Sequence, residues 1–285
     1  MHFISDALLE EILEEDIPYG DLTSELLGIE DAPGLLVCHA KSDVVLCGAE
    51  PAARLLERVG LAVNLTAQDG TRVAMGVPFL TARGSAGRIH AVVKTAQNLM
   101  EYCSGIATRT ADMVDAARRG SIAAGAPSIC RVVTTRKHFP GTKTLSLYAA
   151  RKGGAQIHRT GLSESVLVFD QHRVFCPNFL ERLSQMHSLD PERKIAVEVD
   201  SLEEAVSYAK AGADILQVER LTPEAFAATV RAVKAIAPTA LLSATGGVRG
   251  DNAEAYARAG ADFLVTTWPY FGKPADIKMK ISAAK

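Results

Sequence analysis

Long apolar runs are missing from this sequence. None of the apolar stretches in its 285 residues approaches the ~18 residues that a transmembrane helix needs. The N-terminal segment MHFISDALLEEILEED is acidic and amphipathic, and it lacks the basic region and apolar core of a secretory signal. We therefore expect a cytoplasmic protein that has no membrane partner.

Runs of basic residues and paired cysteines are also missing. The formal net charge is −2 and the basic residues are spread along the chain, which argues against nucleic acid as a partner. The five cysteines are odd in number and form no CxxC pair, so buried thiols in a reducing compartment are expected. Neither GxxxxGK[ST] nor GxGxxG occurs, which disfavours a P-loop or a dinucleotide-binding fold.

The first third of the chain has the pattern of a small α+β domain. The whole composition is globular, with 48% hydrophobic and 22% charged residues. Ser5 can cap a helix over residues 6–15. Residues 34–83 follow a β-like pattern that one helix near 50–59 interrupts, which indicates a small sheet.

A helical pattern then runs from Ile89 to about Arg119, where apolar residues recur at helical spacing. Ser104-Gly105 lies in its middle and is expected to break it into two helices. The domain boundary is placed at this break.

The second half of the chain alternates short apolar runs with helix-length segments. The apolar runs, which we expect to be strands, cover residues 129–134, 165–169, 194–199, 214–218, 240–243 and 262–266. This alternation predicts βαβ units and a parallel sheet that is buried on both faces. An internal repeat, AGADIL at 211–216 and AGADFL at 259–264, supports this prediction, because each copy leads from a helix end into a strand.

The number of strands limits the architecture. Six strands are too few for a closed eight-unit barrel, which typically takes ~250 residues. An incomplete barrel or an open sheet is therefore expected. In either form, ligands bind where the strands end and the helices begin.

Basic residues follow the first strand of this half. Arg136, Lys137 and Lys143 flank or enclose a Pro-Gly loop, and this cluster is either a solvated surface or an anion-binding site. The pair His158-Arg159 follows Gly153-Gly154 and precedes the second strand.

Two carboxylates occur on successive strands. Glu198 lies within the third strand and Glu219 ends the fourth, and carboxylates in apolar strands are costly to bury unless they are paired or bind a metal. They could hold Mg²⁺ or form hydrogen bonds with the hydroxyl groups of a sugar. The alternative is that Glu198 pairs with a cation such as Arg136 or Arg159.

A glycine pair, Gly246-Gly247, follows the fifth strand and precedes a predicted helix. Backbone N–H groups of such a turn at a helix N-terminus can bind phosphate. Combined with the basic residues and the two carboxylates, the pair indicates a phosphorylated substrate that carries a pyrophosphate group.

These motifs together resemble the quinolinate phosphoribosyltransferase family, and the resemblance covers nearly the whole chain. The matching segments, in order, are DIPYGDLT at 16–23, NLMEYCSGIAT at 98–108, TRK at 135–137, PG at 140–141, GG at 153–154, HRTGL at 158–162, Asp170 with His172, VEV at 197–199 and GG at 246–247.

The resemblance implies an α/β fold with two domains. An N-terminal α/β sandwich would cover residues 1–105 and be completed by residues 270–285. An incomplete parallel α/β barrel of the type II phosphoribosyltransferase kind would cover residues 106–269. The family's reaction joins a pyridine carboxylate to phosphoribosyl pyrophosphate and releases pyrophosphate with Mg²⁺ present. The resemblance also implies a homodimer or higher homo-oligomer, in which Lys94 reaches the site of a neighbouring subunit.

The residue pattern and the resemblance together predict the site. The predicted residues are Lys137, Glu198 and Glu219 for catalysis; Lys94, Arg136, His158, Arg159, Phe169 and His172 for substrate binding; Gly246, Gly247 and Lys143 for phosphate binding; and Glu198 and Glu219 for Mg²⁺.

Several positions depart from the family pattern. Lys94 replaces an Arg and lacks its bidentate fork, whereas Phe169 replaces a Lys that helps to hold a substrate carboxylate. The positions expected to bind the base therefore differ from the family pattern, whereas those expected to bind the phosphoribosyl group match it. Thr267-Trp268 replaces a small Gly-Ala pair, and Trp268 is either a stacking platform for a flat base or a core plug. These departures resemble the ModD branch of the family, which is named for an association with molybdenum transport.

Three functions remain open at this point. The first is transfer of a pyridine-carboxylate-like or other flat base to phosphoribosyl pyrophosphate. The second is quinolinate phosphoribosyltransferase activity with decarboxylation, as in NAD biosynthesis, against which Phe169 and Lys94 argue. The third is a non-catalytic accessory protein that binds an anion or nucleotide, because a fold does not fix a function. Glu198 favours an enzyme, since anion binding alone does not require a carboxylate beside the cations.

Overall fold

A computed structural model describes residues 4–284. The helices are α1 (Asp6–Asp16), α2 (Leu22–Leu27), α3 (Ala49–Arg58), α4 (Ala86–Ala123), α5 (Lys143–Lys152), α6 (Asp170–Arg173), α7 (Phe179–Leu189), α8 (Leu202–Lys210), α9 (Pro223–Ile236) and α10 (Ala253–Arg258). The strands are β1 (Pro33–Ala40), β2 (Val44–Val45), β3 (Ala62–Leu65), β4 (Arg72–Val73), β5 (Pro78–Ser85), β6 (Arg131–Thr134), β7 (Gln156–Ile157), β8 (Val166–Val168), β9 (Ile195–Val199), β10 (Ile215–Glu219), β11 (Leu241–Thr245), β12 (Phe263–Thr266) and β13 (Ile277–Ala283). A 3₁₀ helix covers Trp268–Phe271.

The chain divides into two units. The N-terminal unit comprises residues 4–111, 139–154 and 269–284, and the barrel unit comprises residues 112–138 and 155–268. Within the described residues, no helix is both long and apolar enough to cross a membrane.

The N-terminal unit is built on an antiparallel sheet with the strand order β13-β1-β5-β3. Alternate residues of β1 point into its core, where Leu36, Cys38 and Ala40 are buried. A fully buried leucine of this kind contributes about 1.5–3 kcal/mol. The last strand, β13, pairs with β1 along its whole length. The predicted cap of α1 is confirmed, because the side chain of Ser5 accepts a hydrogen bond from the Leu8 N–H.

The division differs from the predicted domains chiefly in one segment, besides a shift of the first boundary from residue 105 to residue 111. Residues 139–154, which the sequence assigned to the barrel, belong to the N-terminal unit. The contacts of α5 give the reason, since the Tyr148 hydroxyl lies 2.7 Å from Asp69 Oδ2 and 3.0 Å from Glu50 Oε2 and donates its one hydrogen between these two carboxylates. Asp69 in turn accepts hydrogen bonds from the backbone N–H groups at the start of α3, including those of Gly48 and Ala49.

Helix α4 runs without interruption for 38 residues, so the predicted break at Ser104-Gly105 is wrong. The two residues serve packing instead. The Ser104 hydroxyl accepts from the Cys47 N–H at 2.9 Å and donates to the Cys47 carbonyl at 3.0 Å. Gly105 lets the backbone of residues 273–275 lie directly against the helix, where a Cβ would be 2.8 Å from the Lys273 carbonyl oxygen.

This close approach gives a stability prediction. We expect Gly105→Ala to lower the free energy of unfolding by about 1–3 kcal/mol, because the clash is with backbone atoms that cannot rotate away. Gly161→Ala is the control, since the nearest atom to its added Cβ is 3.8 Å away. Urea denaturation of the three proteins measures the difference. Equal stability of Gly105→Ala and the wild type would show that the segment is not packed in this way.

The barrel unit contains seven parallel strands in the order β7-β6-β12-β11-β10-β9-β8. The edge strands β7 and β8 are not paired with each other among the described residues, so the predicted incomplete barrel is confirmed. All six predicted strands are present. The two-residue strand β7 was not predicted, since so short a segment has no periodicity to detect.

The internal repeat has a structural role. Gly212 and Gly260 take positive φ angles of 99° and 98° where α8 and α10 end. The Asp two residues later has the same function in both copies. Asp214 Oδ2 accepts from the Ile195 N–H at 2.7 Å, and Asp262 Oδ2 accepts from the Leu242 N–H at 2.8 Å. Each copy therefore links the start of one strand to the neighbouring strand.

The strand register places polar residues in one row across the sheet. Glu198 of β9 is opposite Gln217 of β10, which is opposite Ser243 of β11. Residues opposite each other in a parallel sheet point to the same face. Glu198 is half-buried, whereas Gln217 and Ser243 are 4% and 0% exposed. The row therefore forms a polar layer inside an otherwise apolar sheet.

Candidate active site

A cavity of about 420 Å³ opens at the carboxyl ends of the barrel strands, within the usual size range of small-molecule sites. Its lining residues are Thr135, Arg136, Lys137, His158, Arg159, Leu167, Phe169, Glu198, Gln217, Glu219, Arg220, Thr245, Gly246, Gly247, Val248, Arg249, Val265, Thr266, Thr267 and Trp268. The structure therefore brings together all the predicted site residues of the barrel unit except His172.

Cations outnumber carboxylates around this cavity. The cationic lining residues are Arg136, Lys137, Arg159, Arg220 and Arg249, and the carboxylates are Glu198 and Glu219. A cleft lined mainly by one sign of charge attracts ligands of the opposite sign. The cavity is therefore suited to an anionic ligand.

The cations at the ends of β6 and β7 repel one another. Burial lowers the pKa of Arg159, and the charge of the neighbouring Arg136 lowers it further. The Arg159 guanidinium lies 5.8 Å from the ring centroid of Phe169, a cation–π distance. Burial also lowers the pKa of His158, with the charges of Arg159 and Arg136 adding to the effect, so its ring is neutral near pH 7. An anion bound here would relieve the repulsion.

Glu198 does not pair with Arg136 or Arg159, so that alternative is wrong. Its Oε2 accepts a hydrogen bond from Gln217 Nε2 at 3.0 Å. Burial raises the pKa of Glu198, and the nearby charge of Glu219 raises it further, whereas the hydrogen bond from Gln217 opposes the rise. Two carboxylates close enough to affect each other favour a shared cation or donors between them.

The carboxylate pair fits Mg²⁺ that is held jointly with a substrate. No group of three or more His, Cys, Asp or Glu residues suited to a metal ion occurs among residues 4–284, which argues against an all-protein metal cage in that range. Mg²⁺ usually binds through one or two carboxylates, several waters and substrate phosphates. Glu198 and Glu219 supply that number of carboxylates on neighbouring strands.

The glycine turn after β11 has the backbone that only glycine adopts easily. Gly246 and Gly247 have φ angles of 74° and 81°. A Cβ on Gly246 would lie 2.7 Å from Cγ of Arg220, so the turn and Arg220 are in direct contact. The predicted helix after the turn begins at Ala253, six residues beyond Gly247. Any phosphate site here therefore depends on the turn and its neighbours, not on a helix end.

Trp268 contributes to the cavity wall at the end of β12. Its ring lies against Gly250, where an added Cβ would be 2.8 Å from Trp268 Cη2. Its backbone N–H donates to Thr266 Oγ1 at 3.0 Å, which fixes the start of the 3₁₀ helix. The indole is half-buried, so it packs against the loop and also presents a surface to the cavity.

Three predicted site residues lie outside this lining. His172 accepts a hydrogen bond from the Phe169 N–H through Nδ1 at 3.0 Å and stacks on the Phe169 ring, so it supports that ring from behind. Lys94 and Lys143 belong to the N-terminal unit. Lys94 Nζ donates to Gln97 Oε1 on α4, and Lys143 is the exposed first residue of α5.

Gln217, Arg220 and Arg249 line the cavity but were not predicted from the sequence. Gln217 had a detectable signal, because an amide in the middle of the apolar run ILQVE needs a partner when it is buried. Arg220 follows a strand-ending glutamate, and nothing in the sequence separates it from a solvated surface residue.

Comparison with known proteins decides the family. The model of the quinolinate phosphoribosyl transferase C-terminal domain matches residues 106–280, and the model of the N-terminal domain matches residues 21–104. The chain belongs to the quinolinate phosphoribosyl transferase family. The predicted family, enzyme class and fold are thereby confirmed.

Individual relatives agree with this assignment. A ModD protein of Rhodobacter capsulatus, which bears the name of a pyrophosphorylase, is 38% identical over 92% of this chain and 100% of its own length. The nicotinate-nucleotide pyrophosphorylase (carboxylating) of Mycobacterium leprae is 31% identical over 90% of this chain and 89% of its own length. The solved structure of nicotinate-nucleotide pyrophosphorylase from Francisella tularensis has the same fold, with a TM-score of 0.87 at 23% identity over 99% of this chain and 98% of that one.

Proposed function

We propose that this enzyme transfers the phosphoribosyl group of phosphoribosyl pyrophosphate to a ring nitrogen of a flat base and releases pyrophosphate. The supporting observation is the composition of one cavity, in which a cation cluster, two carboxylates and a glycine turn face each other at the strand ends. Each of these parts suits one part of phosphoribosyl pyrophosphate: a pyrophosphate, a ribose and a 5′-phosphate.

The cations stabilise the negative charge of the reacting groups. Arg136, Lys137 and Arg159 lie at the ends of β6 and β7, where they can bind the pyrophosphate or a carboxylate of the base. As the bond to pyrophosphate breaks, charge accumulates on that group. Fixed cations then stabilise the transition state without reorganising. Binding also holds the base and the ribose in the geometry of attack.

The carboxylates act at the ribose. Glu198 and Glu219 can hydrogen-bond the ribose hydroxyl groups or hold Mg²⁺, which would supply positive charge to the departing pyrophosphate. Gln217 restricts the orientation of Glu198 through its 3.0 Å hydrogen bond. Negative charge from both glutamates also favours the oxocarbenium-like carbon that forms when pyrophosphate leaves.

The base carries fewer carboxylates than quinolinate. Phe169 presents an uncharged ring to the cavity where a lysine would offer a charge for a second carboxylate. Quinolinate phosphoribosyl transfer with decarboxylation remains the second candidate, supported by the 31% identity to the Mycobacterium leprae enzyme. The molybdenum association stays a prediction that rests on the ModD name alone.

The proposed assembly is a homodimer or higher homo-oligomer in a reducing compartment. The segment around α2 exposes Tyr19, Leu26 and Leu27, which are 99%, 78% and 65% exposed, and burying such side chains against a second copy would be favourable. Five free cysteines, four of them buried, fit the cytoplasm. Sedimentation velocity gives the oligomeric state, and a monomer at micromolar concentration would contradict this part of the proposal.

A pyrophosphate-release assay tests the reaction. Purified protein, Mg²⁺ and phosphoribosyl pyrophosphate are incubated with a panel of flat bases that differ in carboxylate number, including nicotinate, nicotinamide and quinolinate. We expect base-dependent release of pyrophosphate with at least one base that has fewer than two carboxylates. If quinolinate alone supports release, the second candidate function replaces the first. Binding of phosphoribosyl pyrophosphate with no release for any base would favour the accessory protein.

A further inference from the structure

Arg220 has an unusual backbone conformation at the cavity. Among residues 4–284 it is the one non-glycine residue with a positive φ, at 57°. A side chain is disfavoured in this conformation, and such strain persists only where surrounding contacts hold it, often at functional sites. The contacts are present here. The Arg220 N–H donates to the Thr245 carbonyl at 2.9 Å, and the next carbonyl, of Leu221, accepts from the Tyr256 hydroxyl at 2.8 Å.

The conformation places the side chain across the glycine turn. Cγ of Arg220 would lie 2.7 Å from a Cβ on Gly246, so only glycine at that position lets the arginine stem lie there. Nε of Arg220 is 3.3 Å from Oε1 of Glu219, which orients the guanidinium. Within the described part of the chain, the two terminal nitrogens have no hydrogen-bond or ion-pair partner, and their four N–H groups remain available to an anion.

The other cation beside this turn is less available. Arg249 lines the same side of the cavity, but its Nη2 forms an ion pair with Asp251 Oδ2 at 3.1 Å. Arg136, Lys137 and Arg159 lie at the ends of β6 and β7, and β12 and β11 separate those strands from β10. The cavity therefore has two cationic positions, one at the ends of β6 and β7 and one at the ends of β10 and β11, beside the glycine turn.

We propose that Arg220 binds the 5′-phosphate of the phosphoribosyl substrate, together with the Gly246-Gly247 turn. This inference rests on the proposed function, because it assigns the two phosphate-bearing ends of phosphoribosyl pyrophosphate to the two cationic positions. A guanidinium binds two phosphate oxygens at once. It would supply the charge that backbone N–H groups of a turn lack. Trp268 packs against Gly250 on the other side of the turn. The phosphate would therefore have the Arg220 guanidinium on one side of the turn and the Trp268 indole ring on the other.

The test compares three ligands on four proteins by calorimetric titration. The ligands are phosphoribosyl pyrophosphate with Mg²⁺, ribose 5-phosphate and inorganic pyrophosphate with Mg²⁺. The proteins are the wild type, Arg220→Gln, Arg220→Gly and the control Arg231→Gln, which removes an exposed cation from α9. Glycine adopts the positive φ without strain, so Arg220→Gly keeps the backbone while it removes the charge.

The expected result separates the two ends of the substrate. Both Arg220 variants should bind phosphoribosyl pyrophosphate and ribose 5-phosphate about 10- to 100-fold more weakly, while their pyrophosphate affinity changes less than about 3-fold. Arg231→Gln should bind all three as the wild type does. Arg220→Gly should melt at or above the wild-type temperature, which shows that its loss of binding is not a loss of folding.

Two outcomes would overturn the inference alone. If the wild type binds phosphoribosyl pyrophosphate and the Arg220 variants bind it equally well, the strained arginine has no part in phosphate binding. If pyrophosphate affinity falls and ribose 5-phosphate affinity does not, Arg220 belongs to the pyrophosphate end. Failure of the wild type to bind phosphoribosyl pyrophosphate at all would reject the proposed function and the inference with it.

Discussion

Glu198→Gln is expected to lower kcat/KM for pyrophosphate release about 100-fold or more, and to weaken binding of Mg²⁺-phosphoribosyl pyrophosphate about 10- to 100-fold. The substitution preserves the size of the side chain and removes its charge. Glu198 faces the cavity, and Gln217 already donates to its Oε2. The variant therefore loses the anionic ligand for Mg²⁺ or the ribose hydroxyl groups while it keeps the local packing.

A matched control separates this effect from a general change of charge. Asp200 follows β9 directly, is exposed and does not line the cavity. Asp200→Asn removes one carboxylate from the same end of the same strand and should leave both constants within about 3-fold of the wild type, as expected for a surface change. Comparable losses of activity and affinity in both variants would mean that binding depends on the total negative charge at this end of β9 and not on Glu198 itself. If Glu198→Gln keeps the wild-type kcat/KM and the wild-type affinity for phosphoribosyl pyrophosphate, Glu198 has no role in the site.

Phe169→Lys should shift the preference among bases towards quinolinate. The ratio of kcat/KM for quinolinate to that for nicotinate should rise about 10-fold or more over the wild type, since a hydrogen bond between two charged groups contributes about 1.5–3 kcal/mol. The new ammonium group would stand near Arg159, whose guanidinium lies 5.8 Å from the Phe169 ring. Without a bound anion the two cations repel each other, so the variant should also be less stable than the wild type in the absence of ligand.

Phe169→Leu is the control for the loss of the ring. It removes the cation–π contact with Arg159 and the stacking on His172, and it adds no charge. We expect it to lower activity with every base and to leave the ratio of quinolinate to nicotinate unchanged. A wild type that already prefers quinolinate, or a Phe169→Lys variant with an unchanged ratio, would contradict the view that Phe169 sets the number of carboxylates.

The arrangement of the barrel could be predicted from local signals in the sequence. The AGAD repeats encode both a helix end and a bond to the neighbouring strand, through Asp214 and Asp262. The apolar runs encode strands that are buried on both faces, and parallel strands bring the residues after them to one edge. For this reason Arg136, Glu198 and Gly246 could be grouped in one site before their distances were known.

Other features depend on contacts between distant residues and leave no local signal. Ser104-Gly105 has the composition of a break, yet it lies in a continuous helix because Cys47 and residues 273–275 pack against it. The positive φ of Arg220 is held by hydrogen bonds to the Thr245 carbonyl and from the hydroxyl of Tyr256 in α10 to the Leu221 carbonyl. Thr245 and Tyr256 are both distant from Arg220 in the sequence. A residue with a locally unfavourable backbone conformation can be recognised only when the partners that hold it in place are known.

The most direct test of the central claim is calorimetric titration of the wild-type protein with phosphoribosyl pyrophosphate, with and without Mg²⁺. The cavity has five cations for the two phosphate-bearing ends and two carboxylates for a substrate-held Mg²⁺. We therefore predict one binding event per chain that Mg²⁺ strengthens and that excess pyrophosphate weakens by competition. Absence of binding by folded protein, in either condition and with a candidate base present, would contradict the claim that this cavity is a phosphoribosyltransferase site.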